Sequence, residues 1–166
     1  MTAENLEVLA LVTENNFEDG LPIEVTIKEI ITTGGIPVIP WGAGKWIGKR
    51  GKIIGDILDK NRHSILFFGD NGNRPLFWFH SSYLQIARRK GLRILPGSDP
   101  LPLSSESSRP GSFGFIIKGN FNHEKPGQAI KQILLEPNID IQSYGSLESP
   151  WNFILNQVGI RFGREK

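Results

Sequence analysis

The stretch IPVIPW, at residues 36–41, decides the fold that this sequence predicts. Apolar side chains fill nearly every position, so a strand formed here has no side that suits water. Such strands are typical of parallel sheets that helices cover on both faces. The stretch therefore predicts a buried strand at the centre of an α/β domain.

Outward from this stretch, short apolar runs alternate with amphipathic segments. The other predicted strands are residues 6–12, 64–68, 92–95, 113–118 and 139–144. Five helices are predicted between and after these strands. The first begins at Pro22, the third spans residues 81–90, and the fourth runs from Pro126 to Pro137. The second has one apolar face formed by Ile53, Ile54, Ile57 and Leu58, and that of the last is formed by Trp151, Ile154, Leu155 and Val158. This alternation predicts a single α/β domain over residues 1–166, with about six βα units and parallel strands.

Composition narrows the function classes. The 166 residues include no cysteine, which excludes disulfide scaffolds, thiolate metal sites and thiol nucleophiles. A net charge of +2 makes nucleic acid an unlikely partner, and no apolar run is long enough to cross a membrane. The N-terminal residues lack the basic segment of a secretory signal, so we expect a cytoplasmic protein.

Polar, glycine-rich segments follow three consecutive predicted strands, at residues 42–51, 69–75 and 96–100. Parallel strands joined by crossover helices bring such segments to one edge of the sheet, where α/β proteins bind ligands. We therefore expect a ligand site at the carboxyl edge. Three ordinary turns are the alternative.

The first of these segments combines flexible backbone with cations. Gly42 and Gly44 would let backbone N–H groups approach an anion, and Lys45 and Arg50 would bind it. The spacing matches neither a phosphate-binding P-loop nor a dinucleotide fingerprint. The segment predicts a site for a small anionic ligand, or else a surface loop with solvated lysines.

The next two segments supply carboxylates. Asp70 could bind a metal, act as a general base or anchor Arg74. Asn71 and Arg74 are candidate ligand-binding residues, and Arg74 together with Lys45 would clamp an anionic group. Asp99 occupies the corresponding position one strand later. If the strands are neighbours, the two aspartates could share a proton or hold a divalent cation. Asp70 and Asp99 are therefore the candidate catalytic and metal-binding residues.

The segment from residue 100 to 112 has no apolar periodicity. Loops of this length are often lids, so Arg109 or Glu106 could close over a ligand; a disordered surface loop is the alternative. The three histidines, His63, His80 and His123, form no metal-ligand motif.

The sequence GSDP, at residues 97–100, resembles the late metal-ligand strand of the amidohydrolase and PHP-type metal-dependent hydrolases, which are (β/α) barrels. PWGAGKW and GDNGNRP, at residues 40–46 and 69–75, are similar to segments of uncharacterised bacterial proteins of that type. The resemblance implies a partial TIM-like barrel, a divalent metal ion and Asp99 as a metal ligand. The family's early HxH ligands have no counterpart here, so either another chain supplies them or the site has lost its metal.

Six units account for nearly all of the chain, whereas an eight-unit barrel needs about 250 residues. The length therefore predicts an open sheet, a barrel completed by a partner chain or a second copy, or a truncated enzyme, the interpretation that we favour. The predicted function is that of a metal-dependent hydrolase with its ligand site at the carboxyl edge. The alternatives are a non-catalytic phosphate- or anion-binding domain and an inactive subunit.

Overall fold

The computed structural model describes residues 1–60, 65–78 and 82–162 and has an α/β architecture. A mixed four-stranded sheet has the order β1-β2-β3-β4, and a separate antiparallel pair is formed by β5 and β6. The strands are β1 (Leu9–Leu11), β2 (Ile36–Pro40), β3 (Phe67–Asn71), β4 (Ile94–Gly97), β5 (Phe113–Ile116) and β6 (Gln142–Gly145). The described helices are α1 (Ile23–Thr32), α2 (Gly48–Lys60), α3 (Ser82–Arg89), α4 (Pro126–Leu135) and α5 (Pro150–Phe162), with short 3-10 turns at Leu76–Trp78 and Ser104–Glu106.

The sheet is covered on both faces, as the IPVIPW stretch predicts. Successive side chains of a strand point to opposite faces. One face, which includes Ile39 and Phe68, packs in the core with residues of α1, α2 and α3. The other, which includes Val38 and Phe67, packs with Leu134 of α4 and with Phe115 of β5. Both faces of the sheet are therefore apolar at β2 and β3.

The strands β2, β3 and β4 are parallel, and their direction determines where the polar segments lie. β2 pairs with β3, and β3 with β4, both in parallel register. The segments that follow these strands consequently reach the same edge of the sheet. This part of the predicted βα winding is confirmed.

The first strand runs in the opposite direction from the one predicted. β1 is antiparallel to β2, with Leu9 opposite Val38 and Leu11 opposite Ile36. Residues 12–22 then return the chain along the sheet, since the N–H of Gly20 donates to the carbonyl of Met1 at 2.8 Å. This long return lets α1 start at the carboxyl edge and still lead into a parallel β2. As a result, β1 begins at the carboxyl edge of the sheet and ends at the opposite edge.

The last two strands also depart from the prediction of six parallel strands. β5 and β6 pair only with each other, from Phe113 opposite Gly145 to Ile116 opposite Gln142. Between them, α4 packs on the second face of the main sheet instead of carrying the chain to a new parallel edge. Within the described residues the strands do not close into a barrel.

Several element boundaries move at the carboxyl edge. β3 extends through Asn71, so Asp70 lies within the strand and not beyond it. α2 begins at Gly48, so the last part of the glycine-rich segment is helical. The predicted start of the third strand at residue 64, the predicted helix start at residue 81, and both His63 and His80 lie outside the described residues. In the part of the chain that is described, no helix is both long and apolar enough to cross a bilayer.

Candidate functional site

The ends of the three parallel strands bring the predicted polar segments together. The N–H of Trp41 donates to the carbonyl of Gly69 at 2.9 Å, and the N–H of Gly72 donates to the carbonyl of Gly97 at 2.8 Å. These bonds continue the parallel ladders one residue beyond the strands. The segments after β2, β3 and β4 therefore form one continuous rim.

Asp70 and Arg74 form a buried ion pair at the centre of this rim. The Nε and Nη2 atoms of Arg74 each donate to a different carboxylate oxygen of Asp70, both at 2.8 Å. Both side chains are only 5% exposed, and Nη1 of Arg74 also donates to the carbonyl of Trp78 at 2.7 Å. Of the three roles considered for Asp70, the structure shows the anchoring of Arg74. Arg74 is correspondingly committed to Asp70 and is not placed to clamp an anionic ligand.

Asp99 bonds to asparagines, on the face of the sheet opposite to that of the Asp70 side chain. The side-chain amide of Asn71 donates to the carboxylate of Asp99, and that of Asn73 donates to its backbone carbonyl. Asp99 also has a φ of 41°, in the left-handed region that few non-glycine residues adopt. Such backbone strain is concentrated at functional sites. Asp99 is thus held in an unusual conformation by two neighbouring amides.

The environment of Asp99 disfavours its charged form. Burial raises the pKa of the Asp99 carboxyl above its usual value of 3.8, and the nearby carboxylate of Glu7 raises it further. The hydrogen bond from Asn71 and the positive charge of Lys45 act in the opposite direction. A carboxyl group with a raised pKa is a candidate proton donor or acceptor.

The two aspartates do not form the pair that the sequence predicts. Asp70 and Asn71 are consecutive in β3 and point to opposite faces, and Asp99 is bonded to Asn71. In the described part of the chain, no three His, Cys, Asp or Glu side chains come together as a metal-ligand group. Because Asp70 is paired with Arg74, Asp99 would have to hold a divalent metal without the second aspartate.

Two cations of the glycine-rich segment, Lys45 and Arg50, are bonded within the protein. Lys45 Nζ donates to Glu7 Oε2 at 2.9 Å. Arg50 Nη2 donates to the carbonyl of Gly44 at 3.0 Å, where the positive φ of 71° requires glycine. A side chain at Gly42 would collide with that of Lys45, so the segment folds tightly on itself. The Glu7 carboxylate therefore offsets the charge of Lys45, and Arg50 is held by backbone carbonyls.

Arg109 is fixed in place by carboxylates and by the rim. Its Nη1 lies 2.8 Å from Glu148 Oε2, its Nε 3.4 Å from Glu106 Oε2, and its Nη2 donates to the carbonyl of Gly72 at 3.0 Å. Glu106 in turn accepts a hydrogen bond from Asn156. These contacts pin the segment predicted as a lid or a disordered loop against the rim.

A cavity of about 310 Å³ opens beside Asp99 at the carboxyl edge. Most of its wall is apolar, and none of the described residues that line it is basic. Gly69 and Gly97 line the cavity without side chains that would fill it. A Cβ added at Gly97 would meet no other atom within 4 Å. The lining consists of Glu7, Leu9, Leu11, Val38, Pro40, Gly69, Asp70, Asn71, Leu95, Pro96, Gly97, Asp99 and Phe115.

Sequence reasoning missed Glu7. The prediction of a parallel first strand placed residue 7 at the opposite edge, whereas the antiparallel β1 brings it next to Lys45 and Asp99. The one signal of this direction in the sequence is the length of the connection from residue 12 to 22. It is long enough to bring the chain back to the carboxyl edge before α1 begins. Comparison with protein families, with curated proteins and with solved structures gives no match.

Replacing Arg74 should be costly, because it leaves the buried Asp70 carboxylate without its counter-charge. We expect Arg74→Met to lower the free energy of unfolding by about 3–5 kcal/mol. The matched control is Lys90→Met, which removes the exposed pair with Asp59 and should cost at most about 1 kcal/mol. Urea unfolding measures both, and the double variant Asp70→Leu with Arg74→Met should recover part of the loss. Equal costs for the two single variants would contradict the role given to this ion pair.

The raised pKa of Asp99 predicts a pH-dependent stability difference. Just above pH 3.8 the folded protein holds a proton at Asp99 that the unfolded chain has released, so the contribution of Asp99 to stability falls as the pH rises through this window. An asparagine at this position would not titrate, so Asp99→Asn removes this loss. The free energy of unfolding of the variant, relative to that of the wild type, should therefore increase as the pH rises from 4 to 7. Urea midpoints at several pH values test this, with Asp59→Asn as the control for the lost charge. A difference that shrinks as the pH rises would show that the sign is wrong.

Proposed function

We propose that this protein binds a small molecule with an apolar body and a cationic, hydrogen-bond-donating end, such as a primary amine, in the cavity at the carboxyl edge. The observation that carries the proposal is the composition of the wall, which combines carboxylates with apolar side chains and includes no basic residue among those described. The location agrees with the place where open α/β sheets bind ligands.

The apolar part of the cavity provides the binding energy. Leu11 and Val38 come from the β1 and β2 strands, Leu95 from β4, and Phe115 from β5. Burial of apolar ligand surface contributes about 25 cal/mol per Å², so even a single ring gains appreciably. Pockets for small molecules generally have such walls, with few polar groups to set the orientation.

The polar end of the cavity favours a cation. Glu7 lies close enough to Asp99 for its charge to raise the pKa of Asp99, and among the described residues Lys45 forms an ion pair with Glu7. Two carboxylates with a single lysine leave this end of the cavity net negative when all three are ionised. An ammonium group would relieve the repulsion between the carboxylates and donate to both.

A second candidate function is proton transfer to or from the bound molecule by Asp99. Its positive φ and the direction of its pKa shift favour this role. It is the part of the hydrolase resemblance that the geometry supports best, because it needs no metal ion. The predicted anion site in the glycine-rich segment remains the alternative from a different class of function.

Three probes with the same ring and different ends test the proposal: 2-phenylethylamine, 2-phenylethanol and 3-phenylpropanoate. We expect the amine to bind most tightly, with a dissociation constant of about 0.1–1 mM, and the carboxylate least, because it faces Glu7 and Asp99. Ligand-observed NMR measures the three affinities. Tightest binding of the carboxylate would contradict the proposal and support the anion site instead.

Two leucine variants locate the binding. Gly97→Leu should abolish amine binding, since its side chain would enter open space in the cavity without backbone strain. Gly127→Leu is the matched control on the exposed start of α4, and it should bind like the wild type. Unchanged amine binding in Gly97→Leu would show that the probe binds elsewhere. Stabilisation by Mn²⁺ that depends on Asp99 would instead favour the metal-dependent hydrolase.

A further inference from the structure

The peptide bond between Asp99 and Pro100 joins two residues whose backbone preferences conflict. The φ of Asp99 is 41°, in the left-handed region that few residues other than glycine adopt. The proline ring adds a second restriction, because it pushes the residue before it toward extended backbone with a negative φ. Asp99 therefore has a conformation that Pro100 disfavours, and breaking the bond between the two residues would release that restriction.

Asparagine amides hold both carbonyl-bearing groups of Asp99. The side-chain amide of Asn73 donates to the main-chain carbonyl of Asp99, which belongs to the bond with Pro100. The side-chain amide of Asn71 donates to the Asp99 carboxyl group. The two asparagines are also bonded to each other, since the N–H of Asn73 donates to Asn71 Oδ1 at 2.7 Å, and both are buried. A fixed donor on a carbonyl oxygen is the arrangement that stabilises the negative charge of acyl transfer.

An aspartate side chain has the right length to attack its own main-chain carbonyl. A bond from a carboxyl oxygen to that carbonyl carbon closes a five-membered ring, a cyclic anhydride, and the two groups are already held within one residue. The group that leaves here is the nitrogen of Pro100, which has no N–H in the chain and becomes a basic secondary amine when it is released.

We propose that the folded protein cleaves its own chain between Asp99 and Pro100. A carboxyl oxygen of Asp99 forms a bond to the main-chain carbonyl carbon of the same residue. The carboxyl proton passes to the nitrogen of Pro100 as the bond between that nitrogen and the carbonyl carbon breaks. Asn73 stabilises the negative charge on the carbonyl oxygen during this step. Water then opens the anhydride and leaves a free main-chain carboxylate on Asp99, so the reaction consumes one water and does not require the ligand proposed above.

The two pieces, residues 1–99 and 100–166, should remain together after cleavage. Phe115 of the second piece packs in an apolar cluster with strands of the first. Arg109 of the second piece donates to the carbonyl of Gly72 at 3.0 Å. Cleavage therefore changes the site locally, by adding a second carboxylate at the cavity, and it becomes visible as two pieces only after denaturation.

Denaturing mass spectrometry of the purified full chain, sampled during incubation in neutral buffer, tests the proposal. We expect the 1–99 and 100–166 pieces, with masses that add up to that of the intact chain plus one water. Protein unfolded in guanidinium has the same bond between Asp99 and Pro100 without the strain and the donors, and should cleave about 100-fold more slowly. Absence of the two pieces in the folded sample, or equal rates in both samples, would overturn the proposal.

Two variants test the individual groups. Asp99→Gly suits the positive φ and lacks the carboxyl, so it should give neither piece. Asn73→Leu has a side chain of similar size without the donor, and should cleave about 100-fold more slowly. Asn120→Leu, at an exposed asparagine, is the matched control and should cleave like the wild type. Circular dichroism checks that each variant is folded. Cleavage of Asp99→Gly at this bond, or wild-type cleavage of folded Asn73→Leu, would contradict the mechanism.

Incubation of the wild type in water labelled with heavy oxygen tests the anhydride and needs no variant. Water that opens a cyclic anhydride can attack at either carbonyl, whereas direct hydrolysis of the peptide bond labels the main-chain carboxyl alone. We expect a fraction of the 1–99 piece to carry the label in the side-chain carboxyl of Asp99, as measured by tandem mass spectrometry. The intact chain in the same sample gives the background exchange. Label confined to the main-chain carboxyl would contradict attack by the Asp99 side chain.

Discussion

The buried ion pair between Asp70 and Arg74 is the constraint on which the carboxyl edge depends. Neither charge can be left alone in the protein interior, so the chain after β3 must fold back to hold Arg74 against the strand. The backbone carbonyl of Arg74 then accepts from the N–H of Glu148, and the Glu148 carboxylate holds Arg109, which donates back to Gly72. These polar contacts join the end of β3, the long segment before β5 and the start of α5. Asn71, the next residue of β3 after Asp70, bonds to Asp99 on the opposite face.

The sequence predicts the parallel core of the fold and the edge at which polar residues collect, because both follow from local patterns. Runs such as residues 36–41 have no polar side, which determines that the strand is covered on both faces whatever its neighbours are. The direction of β1 is different: residues 6–12 have the same apolar pattern in either direction. Glu7 belongs to the site only because that strand is antiparallel, so its position could not be read from its own neighbourhood.

The same limit applies to which side of a helix is covered. The periodicity of α5 predicts its existence and its apolar stripe, but a stripe has the same spacing whether the domain or another molecule covers it. What anchors α5 is the polar contact between Asn156 and Glu106, 50 residues apart in the sequence. Likewise, Arg74 pairs with Asp70 four residues before it, so the sequence predicts this contact, whereas Arg109 and Glu148 are far apart in the sequence. Long-range polar pairs leave no periodic signal.

The central claim is that the cavity beside Asp99 is a ligand site with a cation-binding end. A crystal structure of the protein soaked with 2-phenylethylamine tests this most directly. We expect the ring between Leu95 and Phe115, with the ammonium group within hydrogen-bond distance of the Glu7 and Asp99 carboxylates. An empty cavity with the amine bound at another surface, or the ammonium group pointing away from both carboxylates, would contradict it.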